Sequence, residues 1–391
     1  MQKEISLMSN TFFNENVEKA KLLNFIKKSN KLSMGNYVKK FEKKFSKFIG
    51  LKYTTMVNSG SSANLLLLQS LKNIGLLKDS DLIGFSALTW STNVMPIIQL
   101  GMIPVPIDVT LETLNISEKT LENVLKKNKL KCLFLTNVLG FADDVSKILK
   151  ICRKKKIILI EDNCESLGSE INKKKLGSFG LASTHSFYVG HHISSIEGGS
   201  VSTSSPKLDD MLKITRAHGW ARNLNSQSEK RLIKKHNIKE FYRKYTFYDL
   251  GFNLRPTEIN AFLGFNQLNY LKKIIKIRFK NFLSFNNIYK KNSCFKILKL
   301  KHMNIISNFT FPVICKNKKI FKKYIDIFNK NYIEIRPLIA GDITQQPFYK
   351  KYIKKKHEVP NTKLLHETSF YIPNRPDLNR TEIKKICNLL K

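Results

Sequence analysis

Four short stretches of the chain carry residue types that can do chemistry. The most pointed is Ser186-Phe187-Tyr188-Val189-Gly190-His191-His192-Ile193-Ser194-Ser195-Ile196-Glu197-Gly198-Gly199. Imidazoles titrate near neutrality and move protons, and a Glu-Gly-Gly sequel does not suit a core strand. Neighbouring side chains of extended backbone point apart and no third ligand stands nearby, so the histidine pair does not read as a metal site. Asp162 follows an apolar run, 157–161. It can cap a turn, or its charge can hold a proton on a heteroaromatic nitrogen. Asn58-Ser59-Gly60-Ser61-Ser62-Ala63-Asn64 opens a helical pattern. Gly60 permits close backbone approach, and the free amides of a helix start attract phosphate, although a plain N-cap has the same composition. In Thr89-Trp90-Ser91 a flat indole stands at a strand-to-helix junction, where it can stack on a planar ligand or fill the core.

These residues need elements that bring them together. Apolar runs over 53–58, 82–85, 105–109, 131–138 and 157–161 read as strands. Helical patterns over 63–71, 91–100, 117–127 (opened by a Ser117 N-cap) and 144–154 separate them. Short, wholly apolar strands alternating with helices predict an α/β fold with a mostly parallel central sheet covered on both faces. Ligands of such sheets gather beyond the carboxyl ends of the strands, where Gly60, Trp90 and Asp162 fall. Past Asn266 the pattern changes to one long basic helix over 267–289, a strand over 310–314, a helix over 318–331 and an extended 333–337. The reading is a large domain over 1–265, with a helical arm at its start, and a small α+β domain over 266–391.

Composition narrows the class. With 391 residues, 42% hydrophobic and 25% charged, the chain is a folded protein too long for one ordinary core. The net charge is +38, but only ten of the 68 basic residues are Arg, the type suited to bidentate phosphate contacts. Lysines scattered along amphipathic segments read as solvated faces of an AT-rich genome's product, so no nucleic-acid partner is expected and small anionic substrates are. No apolar run reaches the roughly 18 residues of a membrane span, and the start lacks a signal-peptide layout, which predicts a soluble, cytoplasmic protein. The six cysteines stand far apart without a CxxC pair, so free thiols are expected and no structural metal.

In the order NSGSSAN, TWST, EDNCESLGS, SFYVGHHIS-x-x-EGG and GFNLRP the chain resembles the DegT/DnrJ/EryC1/StrS family of pyridoxal-phosphate sugar aminotransferases, over nearly its whole length. The resemblance implies an aspartate-aminotransferase-like architecture (PLP fold type I) and a homodimer with a shared active site. Ordinary members carry a lysine at the position of His191, which tethers the cofactor as a Schiff base. Histidine there, within SFY-x-x-HH-I, marks the sugar 3-dehydratase branch. Imidazole cannot form a stable imine with the cofactor aldehyde but can move protons. The resemblance therefore implies an untethered pyridoxal phosphate whose amine form, pyridoxamine phosphate, is a resting state. It also implies His191 as the catalytic residue that removes the carbon-3 hydroxyl of a nucleotide-linked 4-keto-6-deoxy sugar. Glutamate would restore the amine form, on the way to 3,6-dideoxysugars of surface polysaccharides such as lipopolysaccharide O-antigen. A CDP-sugar branch with the same histidine holds a cysteine-ligated two-iron cluster; the absence of cysteine between Cys164 and Cys294 speaks against it here.

Carried over by motif, Gly60 and Ser61 match the phosphate cup and Ser186 a further phosphate contact. Trp90 matches the stacking aromatic, Asp162 the pyridinium partner and Glu165 a nearby acid of the branch. Asn253, in GFNLRP, matches an asparagine that the partner subunit lends to the phosphate. His218 and Arg222, in RAHGWARN, fall where the branch contacts sugar or nucleotide, with a helix end and a surface cation as the alternative. Arg336 addresses a carboxylate or phosphate, or makes a structural ion pair. His185 and His192 read as structural neighbours. Val189-Gly190 departs from a usual Pro-Ala, and Asn223 from a common acid. The competing readings are a nucleotide-sugar aminotransferase of the same family and, more distantly, a basic nucleic-acid-binding protein.

Overall fold

The computed structural model describes residues 4–391. Its central strands are β1 (Tyr53–Val57), β2 (Leu82–Ser86), β3 (Ile103–Ile107), β4 (Cys132–Thr136) and β5 (Ile158–Asp162). A two-strand ribbon, β6 (Glu170–Ile171) and β7 (Lys174–Lys175), precedes β8 (Ala182–Ser186) and β9 (Gly199–Thr203). The seven-stranded sheet has the order β1-β9-β8-β5-β4-β2-β3. From β3 to β8 neighbouring strands are parallel, while β9 runs antiparallel between β8 and β1.

β4 shows why these runs are apolar throughout. Cys132 and Phe134 enter a cluster with Leu66 and Leu67 of the helix Gly60–Asn73, on one face of the sheet. Leu133 and Leu135 enter a second cluster, with Val145 and Ile148 of the helix Val145–Lys154 and Phe282 of the helix Leu271–Tyr289. Each such side chain withdrawn from water contributes about 1.5–3 kcal/mol, which sets the position of the sheet between its two helical layers.

Further on come β10 (Met303–Ile305), which pairs with β6, and β11 (Thr310–Ile314), β12 (Arg336–Pro337) and β13 (Ser369–Pro373). The last three form an antiparallel sheet of order β11-β13-β12. Val313, Phe370 and Ile372 belong to the same buried cluster as Leu133, so this sheet packs into the core shared with the large one. Its register sets Arg336 opposite Tyr371. Among the described residues no helix is long and apolar enough to cross a membrane.

Three expected elements differ in detail. The helix expected over 267–289 starts at Leu271, and Gln267 instead ends a separate helix, Glu258–Gln267. Between them Asn269 and Tyr270 donate to the carbonyls three residues back, a tighter turn that redirects the axis. The helix over 91–100 is a single 3-10 turn, Ser91–Asn93, followed by Met95–Gln99, with Pro96 in the first turn where its missing N–H costs nothing. The extended 333–337 narrows to β12. At Ser117 the expected cap is present, its hydroxyl accepting from the Thr120 N–H at 3.2 Å.

β8 carries His185 fully buried, edge-on to Phe45 at 4.9 Å, with neither ring nitrogen hydrogen-bonded. Burial lowers its pKa to about 3, so the folded protein keeps it neutral where an unfolded chain binds a proton. Stability from this residue is present above pH 6.5 and is lost as pH falls from there toward 3. Replacing it should flatten the acid side of the stability curve. His185→Leu is expected to narrow the gap in unfolding free energy between pH 7.5 and pH 5 by about 2 kcal/mol. Urea titrations at the two pH values measure this, and an unchanged gap would contradict a neutral buried imidazole.

Candidate active site

The carboxyl ends of β1, β4, β5 and β8 open into a cavity of about 340 Å³, roofed by residues of the C-terminal sheet. At its first edge β1 runs into Ser59, whose extended backbone and hydroxyl cap the helix Gly60–Asn73 by accepting from the Ser62 N–H at 3.0 Å. The N–H groups of the first turn have no partner within the helix, and those of Gly60 and Ser61 belong to the cavity wall. Gly60 is required for space: a Cβ there would stand 2.7 Å from Cβ and 3.0 Å from Oγ of Ser186, at the end of β8. The Glu-Gly-Gly sequel has a similar reason. A Cβ on Gly199, the first residue of β9, would collide with the Ser59 carbonyl and stand 2.7 Å from the Gly60 nitrogen. β9 thus lies directly against the turn that presents the amides.

At the floor stands Asp162, the last residue of β5 and only 4% exposed. Its Oδ2 accepts from the side-chain amides of Asn93 at 2.6 Å and Asn64 at 3.0 Å, and its Oδ1 from the Cys164 N–H at 2.8 Å. Thr89 extends the chain of bonds by donating to Asn93 Oδ1 at 3.0 Å. Three donors thus converge on one carboxylate, fixing its orientation, and the residue borders the cavity. Burial, with the Asp162 charge adding to it, raises the Glu165 pKa to about 8 despite the Leu139 N–H that donates to its Oε2 at 2.8 Å. At pH 7 it is a neutral acid able to donate a hydrogen bond.

His191 sits on a tight turn after β8, its N–H donating to the Tyr188 carbonyl at 2.9 Å. Its ring lies edge-on to Tyr188 and Phe309, with centroids 5.7 and 5.4 Å away. Nδ1 is buried without a partner. Burial, and secondarily the Arg278 charge, lowers the imidazole pKa to about 4, so at neutral pH the ring is a free base. His192 is turned away into the core, where its Nε2 pairs with the Ser307 carbonyl at 2.8 Å.

The cavity wall contains Gly60, Ser61, Trp90, Asp162, Glu165, Ser186, His191 and Arg336. Trp90 is 55% exposed, which decides against core packing. Arg336 borders the cavity and pairs with Glu334 at 2.7 Å. The single chain does not bring His218, Arg222 and Asn253 to this cavity. His218 lies edge-on to Trp220, and Arg222 stacks on Trp220 and Tyr245 at 3.9 and 4.6 Å. Asn253 bridges to Ala217 and accepts from Arg255 at 2.9 Å.

Sequence reasoning missed Asn64, Asn93 and Tyr371. The two asparagines stand in or beside the motifs already singled out, and an amide next to each small-residue turn was the available signal. Tyr371 reaches the cavity through the pairing of β12 with β13, which leaves no local mark. Its hydroxyl is pushed up to about 12 by burial and by Glu165.

Comparison with known proteins places the chain in a family. The model of the DegT/DnrJ/EryC1/StrS aminotransferase family matches residues 14–391. The chain is 32% identical over 367 residues to a GDP-4-keto-6-deoxy-D-mannose 3-dehydratase of Escherichia coli O55:H7, covering 93% of this chain and 94% of the relative. A crystal structure of a GDP-4-keto-6-deoxymannose-3-dehydratase, a histidine-to-asparagine variant with bound GDP-perosamine, superposes with a TM-score of 0.90 at 31% identity, covering 99% of this chain and 100% of that one. Another, with a trapped PLP–glutamate geminal diamine, also gives 0.90, at 30% identity and with the same coverage. The fold is the aspartate-aminotransferase-like arrangement (PLP fold type I) expected from the motifs. The chain belongs to the DegT/DnrJ/EryC1/StrS aminotransferase family.

Proposed function

We propose that the chain is a 3-dehydratase that uses pyridoxamine and pyridoxal phosphate to remove the carbon-3 hydroxyl of a nucleotide-linked 4-keto-6-deoxy sugar. The observation that carries this is His191, a neutral base on the cavity wall where aminotransferases of the family have their tethering lysine. GDP is the nucleotide that the relatives' substrates support, and the glutamate adduct of a relative supports glutamate as the amino donor.

The residues present fit the cofactor. The first-turn amides of Gly60 and Ser61 with the Ser186 hydroxyl suit its phosphate, Trp90 its ring face and Asp162 its ring nitrogen. When bound, the cofactor supplies an amine for the sugar's keto carbon and a ring that takes up an electron pair. The protein does the rest. Asp162, oriented by three N–H donors, would pair with the ring nitrogen and favour its protonated form. His191 takes up a proton as a base and can return one to the hydroxyl leaving carbon 3. Glu165 offers a hydrogen bond without adding a second full charge beside Asp162. With no lysine in this role, the cofactor is held by non-covalent contacts.

The same reading makes the enzyme a homodimer. Phe241, Tyr245, Phe247 and Leu250 are exposed at 87%, 72%, 58% and 72%, beside Asn253, Arg222 and His218. An apolar patch of this kind suits a second copy, which would lend Asn253 to the phosphate and His218 and Arg222 to the sugar nucleotide.

Three experiments test the proposal. GDP-, CDP- and dTDP-linked 4-keto-6-deoxy sugars with glutamate should yield, in at least one case, a product lighter by one oxygen, with ammonia released. An amine retained on the sugar would point to the aminotransferase instead. In His191→Lys, borohydride should fix pyridoxal phosphate to the protein, which the parent resists. Deoxygenation should fall on the order of 10²-fold, and unchanged turnover would remove His191 from its role. Leu250→Asp should lower the mass found by light scattering from two chains to one and abolish turnover together with it.

A further inference from the structure

Arg278 belongs to none of the roles above. It lies on the inner side of the helix Leu271–Tyr289 and is 5% exposed. A guanidinium buried with its donors unused is costly, and Nε and Nη1 are both buried without a hydrogen-bond partner. Burial lowers its pKa only to about 10, so at neutral pH it is a retained charge. The bond that it does make, from Nη2 to the carbonyl of His191 at 2.9 Å, goes to the turn carrying the catalytic imidazole.

The surroundings make this grip firm. A second cavity, of about 390 Å³, lies behind the turn and shares Leu7, Met8, Gly190 and His191 with the first, so the turn is a thin partition. Gly190 gives it little stiffness of its own. The helix that supplies Arg278 is itself pinned, because Asn374 donates to the Arg278 carbonyl at 3.2 Å and Asn281 to the Arg375 carbonyl at 3.3 Å. We propose that Arg278 is a positioning residue for catalysis: it holds the Tyr188–His192 turn from behind and fixes the imidazole of His191 in the active-site cavity.

Its charge has a second effect. Asp162, Glu165, Glu197 and Arg336 border the cavity around the ring, and His192 and Arg278 stand behind it. Of these charges, the one that weighs on the imidazole is Arg278, which disfavours imidazolium and so adds to burial in keeping the base free.

The inference rests on the catalytic role given to His191, so its test includes a reading that needs no turnover. Protein labelled at histidine and loaded with pyridoxamine phosphate is titrated by NMR, with the His191 signal assigned by its loss in His191→Asn. In Arg278→Gln the titration midpoint should rise by about half a pH unit or more. The kcat for deoxygenation should drop at least about ten-fold, with KM and pyridoxamine phosphate affinity within about two-fold of the parent. Arg278→Lys keeps the charge, so its midpoint should stay in place while kcat falls, since an ammonium does not reproduce the planar fork. A midpoint unmoved in Arg278→Gln, or loss of cofactor affinity in step with kcat, would overturn the proposal. If Arg278→Gln does not fold, a parental kcat in Arg278→Lys would overturn it as well. If no sugar is turned over by any protein, the midpoint still decides for or against Arg278, and that failure counts against the proposed reaction alone.

Discussion

A carboxylate at the floor of the cavity is the constraint around which the site is arranged. Asp162 is held in place because β5 ends where two asparagine amides and one backbone N–H converge. Each donor comes from a different place: Asn64 from the helix after β1, Asn93 from the 3-10 turn after β2, Cys164 from the turn after β5 itself. Parallel strands that stop at one level make such convergence possible, since every following segment starts at the same edge of the sheet. Two of its neighbours in the cavity wall are kept neutral. Glu165 holds its proton, and His191 has given its own up.

That division of charge bears on how a loosely held cofactor is kept. A lysine tether fixes a ligand by a bond; here several weaker contacts must be aligned before the ligand arrives. The close approach of Gly199 to the Ser59 backbone, and of Gly60 to the Ser186 side chain, sets the amides in place through packing within the protein. Preorganisation of this sort substitutes rigidity for a covalent link.

Much of this was legible along the chain, for reasons that particular residues make plain. β4 and β5 are buried on both faces, so their runs are mostly apolar and stand out, with Glu161 a buried acidic exception. Asp162 and Gly60 are conspicuous because each breaks such a run with a residue that has no place in it. His191 was found through its motif; composition alone did not single it out. The parts that escaped are those made by distance. Tyr371 and Phe309 come to the cavity from a sheet formed more than a hundred residues later, and Leu7 and Met8 from the opposite end of the chain. Arg278 looks like one more cation in a lysine-rich helix until its burial is known. The turn at 268–270 was hidden because neither Gly nor Pro marks it, and only the local hydrogen bonding sets it apart.

The two tryptophans of the chain fall in different environments, and this gives the molecule a built-in pair of optical reporters. Trp90 stands half in solvent on the cavity wall, where a planar occupant would quench its emission. Trp220 is sandwiched by Arg222 beside the exposed aromatic face, where burial by another chain would shift its emission to shorter wavelength. Filling of the cavity and covering of the face can therefore be followed as separate colours of intrinsic light, with no label attached.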